Sequence, residues 1–225
     1  MISGLIMAVG GAISTVANAV GTAIAATATA LITKLPTVLV TAKVVVNSIS
    51  NVISNVANSL GIAPKDEKLD ELGAKALQTG TRPKMEDETT QEYLDYLRKD
   101  VKLDSGEYIK KTGEEKVACT ALGVSMVSEA IEEKMGVELP VDFLMMISKS
   151  KLKYEQVEKF IHAFADNGIR SMGEMTKYIE NDLSETRAEI VGGIIKDSLK
   201  EQYPSLEDSD VLKEIIEMKR LYNEE

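Results

Sequence analysis

The chain has 225 residues, 36 acids against 26 bases and a formal net charge of −10, enough for one medium domain or a smaller one with an appendage. Its single cysteine, Cys119, excludes an intramolecular disulfide and a Cys-rich zinc site. The acidic balance, with no basic run longer than two residues, argues against binding a phosphate backbone.

Charge is divided unevenly along the chain. The first 64 residues hold no acid and only two bases, Lys34 and Lys43, so all 36 acids lie beyond them. Such a break marks two physical environments: a tract satisfied by lipid, a helical bundle or a sheltered lumen, and a region built for water. Large apolar residues recur at Ile2, Ile6, Val9, Ile13, Val16 and Val20, and again at Val45, Ile49, Val52, Val56 and Leu60. Steps of three and four place one apolar stripe on a helix and approach a heptad, which favours side-by-side helix association. A strand over 37–46, rich in Val and Thr, is the alternative there, but it is too isolated to build a sheet.

The remaining faces of the tract carry small and amide side chains instead of charges. Gly4 and Ala8, then Ala17, Gly21 and Ala25, fall at four-residue intervals that let helix backbones approach closely. Asn47, Asn51, Asn55 and Asn58 form a second, polar and uncharged stripe. Pro36 has no N–H and restrains Leu35, so it acts as a hinge that ends or kinks the helix. The segment before it exceeds the roughly 20 residues that span a bilayer. The segment after it, with four Asn and Lys43, reads as an amphipathic or bundle helix, because amides are costly in lipid without partners. The first eleven residues lack a basic n-region, which argues against a cleavable signal peptide despite the small-x-small form of Ala17-Asn18-Ala19.

The run Val44-Val45-Val46-Asn47-Ser48-Ile49-Ser50-Asn51-Val52-Ile53-Ser54-Asn55-Val56-Ala57-Asn58-Ser59-Leu60-Gly61-Ile62 resembles the hydrophobic stretches of tape-measure proteins of phages and phage-tail-like particles. The Gly/Ala-rich first thirty residues are similar to those regions and to membrane-penetrating segments of ejected proteins. The likeness is compositional, covers residues 1–62, and departs from the family in length, tape-measure proteins being far longer. It implies a helical protein housed in a tail lumen or virion that helps open a membrane path, and it carries over no site residue.

Pro64-Lys65-Asp66-Glu67 ends the tract, and a short helix is expected over 67–78 before a Gly/Pro-punctuated loop at 79–84. Further helices are expected over 86–101, with Tyr93, Leu94 and Leu97 inward, and from Thr112 or Gly113 to Met135. Others follow over 141–149 behind Pro140, and from Lys153 or Tyr154 to an Asn167-Gly168 cap. Ser171-Met172-Gly173-Glu174 has capping-box form, 184–202 is the next helix, and the last buries Val211, Leu212, Ile215, Ile216 and Leu221. Apart from the short 101–109 connection no convincing strand is expected, and the fold expected is therefore all-α. A long hydrophobic N-terminal helix or hairpin (1–63), kinked near Pro36, leads through a linker (64–84) into an acidic multi-helix domain (85–225).

Chemistry has no clear seat. His162, the only histidine, follows Glu158 by four residues on an otherwise apolar stretch, and one histidine leaves too few ligands for a metal. Cys119 lies on an apolar face with no base assigned to it, which favours a core thiol over a nucleophile. Gly192-Gly193 follows no strand, so a close helix crossing explains it better than phosphate binding. No catalytic residue, metal or cofactor is expected.

The function expected is that of a non-enzymatic structural component of a phage or phage-tail-like particle. Its N-terminal helices would self-associate into a homo-oligomer, meet other particle or membrane proteins, and engage a lipid bilayer during delivery. The alternatives are a pore-forming or membrane-permeabilising toxin, bacteriocin or holin-like protein, and a membrane-anchored adaptor that binds through its acidic helices. The expected location is a virion, a phage-tail-like particle or a membrane, and no nucleic-acid contact is expected through the acidic region.

Overall fold

A computed structural model describes residues 18–224. Eleven helices lie within them, and among the described residues there is no strand, only one isolated bridge. The chain divides into two compact units, Met1–Glu133 and Lys134–Glu225. The charge break at residue 64 therefore falls inside the first unit.

Among the described residues the first unit shows helical backbone at 18–20, which ends at Gly21, whose φ of +87 is open to glycine at no steric cost. Helix α1, Thr22–Lys34, follows and buries Ile24, Ala25, Ala28, Leu31 and Ile32. Leu35 turns extended at φ −65 and ψ 149, as the residue before Pro36 is pushed to do, and the helix ends there. Helix α2, Leu39–Ser59, starts after this break, so the 37–46 stretch is mainly helix and not strand. Its propensity for strand loses to the burial of one helical seam, Ala42, Val46, Ile49, Ile53 and Val56. Among the described residues α2 is the one helix long and apolar enough to cross a membrane.

Helix α3, Leu69–Leu77, and α4, Thr90–Lys99, are each shorter than the sequence pattern suggests. A capping box between Thr89 and Glu92 sets the start of α4, and Tyr93, Leu94 and Leu97 are fully buried. The 101–109 connection contains a helix, α5, Ser105–Lys110, capped by the Asp104 side chain accepting from the Glu107 N–H at 3.0 Å. Helix α6, Gly113–Met135, has buried residues on nearly every face between Val117 and Ile131. Its Ala, Gly, Ser and Met side chains are small or adaptable enough for that.

The second unit holds α7, Val141–Lys149, α8, Tyr154–Asp166, α9, Gly173–Glu180, α10, Glu185–Gln202, and α11, Asp208–Asn223. Phe143, Phe160, Phe164, Met172, Met175, Val191, Ile195 and Val211 are fully buried. Gly168 closes α8 at φ +70. The Glu138 N–H donates to the Arg170 carbonyl at 2.8 Å and the Met172 N–H to the Glu138 carbonyl at 2.9 Å, pinning the two loops together. The Ser150 hydroxyl donates to the Met218 carbonyl at 3.1 Å, fixing the end of α7 to α11. Three expected core residues are misplaced: Leu212 and Ile216 are 51% and 64% exposed, and Leu221 is half-buried. On α11 the buried row is Val211, Ile215 and Met218, and the apolar stripe is wider than the surface it covers.

Candidate functional site

Helix α2 carries two opposed faces. Opposite its buried seam run Val40, Val44, Asn47, Asn51, Asn55 and Asn58, all exposed, at steps of four and three. No charged side chain interrupts this row, and Lys43 is the only charge on the helix. The local sequence explains the arrangement. Asn47-Ser48-Ile49-Ser50 is followed by Asn51-Val52-Ile53-Ser54, a four-residue repeat close to one helical turn. Each Ile is thereby buried, while each Asn and the Ser three positions later share the opposite flank.

That flank is one wall of a cleft of about 340 Å³. Asn47, Ser50, Asn51, Ser54 and Asn55 face Asp66 through Asp70, with Thr120 of α6 also lining it. The second wall is rigidly held. Arg98 of α4 donates twice to the Glu67 carboxylate, at 2.7 and 2.8 Å, and also to Asp95 at 2.9 Å. The Ser54 hydroxyl donates to the Glu67 carbonyl at 3.1 Å, tying α2 to this wall. The Tyr108 hydroxyl donates to the Asp70 carboxylate, which, with burial as the larger cause, holds the phenol's proton well above its ordinary range. Lys68 spends its ammonium on Glu71 at 2.9 Å. Asp66 adopts a left-handed φ of +61, which Asp tolerates better than most residues.

The sequence-expected residues fall in different places. Asn47, Asn51 and Asn55 come together in the cleft; Asn58 instead donates its amide to the Ala63 carbonyl at 3.0 Å and finishes its own helix. Gly21 lies at a helix break with open space around it, whereas Ala25 is buried and its carbonyl accepts the Thr29 hydroxyl at 2.8 Å. Pro36 sits in the break between α1 and α2. Gly4, Ala8 and Ala17 lie outside the described residues. Ser50 and Ser54, visible in the Asn-x-Ile-Ser repeat, and the 66–70 wall, not visible locally, complete the site.

Elsewhere, His162 is exposed on α8, and among the described residues no group of three or more His, Cys, Asp or Glu could hold a metal. Cys119 is buried, and that burial pushes its thiol up to about 11, leaving it protonated at neutral pH. Gly192 admits the Tyr178 ring, which would stand 3.0 Å from an added Cβ, while Gly193 meets nothing.

No family model, curated protein or solved structure gives a significant match to this chain.

Proposed function

We propose that this chain is a non-enzymatic structural component of a phage or phage-tail-like particle, assembled through its N-terminal helices and delivered to a membrane. The observation that carries the reading is the uncharged outer row of α2. Val38, Val40 and Val44 are 60%, 71% and 64% exposed at its start, and amides continue the row. Covering one such valine contributes roughly 1.5–3 kcal/mol, and amides can donate to and accept from a copy of themselves. A row without charged side chains also lets two copies cover it without burying an ion. The acidic residues beyond position 64 then keep the rest of each copy, a set of water-facing helices, soluble and apart.

A membrane-permeabilising role is the second reading, favoured by the length and hydropathy of α2. At about 1.5 Å per residue its 21 residues reach roughly 30 Å, the thickness of a bilayer core. That reading requires α2 to leave the seam it buries within its own unit.

Cysteine introduced at Asn51 tests the assembly reading, since the native Cys119 is buried. The assembly reading expects disulfide-linked pairs of full-length Asn51→Cys chains under mild oxidation, and none for a cysteine placed at exposed Glu201. Equal cross-linking at both positions contradicts assembly through α2, and dye release from vesicles without cross-linking favours the second reading.

A further inference from the structure

We infer that the cleft between α2 and residues 66–70 is a binding site for an extended, basic polypeptide segment. The inference goes beyond the assembly reading and draws on the same amides, so the peptide site belongs to the unassembled chain, and a peptide and a second copy compete for it.

The first support is a match of spacings. Asn47, Asn51 and Asn55 are one helical repeat of four apart, a rise of about 6 Å per step. In an extended chain, peptide groups facing the same way recur every two residues, about 6.6–6.8 Å. A row of carboxamides at this pitch pairs with alternate peptide groups of a strand laid along the helix, each amide offering one N–H and one C=O to the backbone. The mismatch is under 1 Å per step, within the reach of an Asn side chain. Among the described residues, the carboxamides of Asn47 and Asn51 have no hydrogen-bond partner, and Asn55 uses only its NH₂, donating to the Asn51 carbonyl at 2.6 Å. Ser50 adds one hydroxyl beside this row, while the Ser54 hydroxyl is engaged by the Glu67 carbonyl.

The second support is charge. The wall opposite the amides presents Asp66 and Asp70, while the one cation lining the cleft, Lys68, is engaged by Glu71. Glu67 is neutralised by Arg98. The net field therefore selects Lys or Arg on the incoming strand and repels phosphate. The cleft is too polar for an acyl chain, Leu69 being its only large apolar lining residue. Its walls are set by the Arg98 clamp and the Ser54 bond, so little ordering accompanies binding.

Fluorescence anisotropy on the full-length chain tests this with three labelled octapeptides: alternating Lys and Thr, alternating Glu and Thr, and the Lys peptide methylated at alternate backbone nitrogens. The Lys peptide binds, the Glu peptide does not, and methylation weakens binding about tenfold by removing the main-chain donors. Asn51→Ala with Asn55→Ala lowers affinity by about tenfold too, while helix content by circular dichroism is unchanged, because both positions are exposed and Ala is the better helix former. Asp66→Asn leaves methylation sensitivity intact but flattens the salt dependence. Binding that ignores backbone methylation and both Asn substitutions reduces the site to nonspecific attraction and overturns the inference. So does the absence of peptide binding, including the case in which the Asn substitutions abolish a concentration-dependent dimer and a second copy is the occupant.

Discussion

A Cβ added to Gly73 would stand 2.0 Å from the Cys119 carbonyl oxygen, and one added to Gly123 would stand 1.9 Å from the Leu69 carbonyl oxygen. Helices α3 and α6 therefore cross with backbone against backbone at both glycines, and no rotamer relieves an extra methyl. Gly73→Ala and Gly123→Ala should each destabilise the first unit by about 3 kcal/mol or more, at the upper end for overpacked cores. Urea melts followed by circular dichroism measure this; Gly193→Ala, where nothing lies within 4 Å, is the control expected to change little or to stabilise.

Glu129, half-buried on α6, has its carboxyl raised above the ordinary 4.5, first by burial and then by repulsion from Glu133, with Lys84 opposing. A carboxyl raised in the folded state favours folding while protonated and costs stability once ionised. Its contribution is thus present below the ordinary 4.5 and lost as pH rises through the raised value of the folded state. Glu129→Gln should raise the melting temperature at neutral pH and leave it unchanged at low pH. An equal shift at both values would separate the effect from this titration.

Asp208 shows the opposite sign. Hydrogen bonds from Lys196, at 2.7 Å, and from Lys200 pull its carboxyl down to about 2. Its small, solvent-screened contribution is present above the ordinary 3.8 and fades as pH falls toward 2. Replacing both lysines by alanine should return the Asp208 titration, followed by carbon NMR of the side chain, toward 3.8.

Two strong punctuation signals are legible in the sequence itself. Pro140 marks the start of α7 at Val141, and Asn167-Gly168 marks the end of α8, because both signals act within one turn. Helix α5 buries nothing and so leaves no periodic trace in the sequence. Leu212 and Ile216 are exposed despite their place in the apolar pattern, because periodicity reports a stripe and not what covers it. The Asn row was visible as a stripe, but its pairing with Asp66 and Asp70 depends on a chain reversal around Gly61, at φ +69, and on the Arg98 clamp from α4. Those are tertiary facts, and no local pattern at 47–55 encodes them.

Light scattering after size exclusion, on the full-length chain over a range of concentrations, tests assembly through α2 most directly. The wild type should run above the 24.5 kDa of one chain and grow with concentration. Val44→Glu with Asn51→Glu, both at exposed positions that leave the buried seam intact, should return the mass to that of one chain. A wild type at 24.5 kDa throughout, or an oligomer that survives both charges unchanged, would contradict assembly through this face.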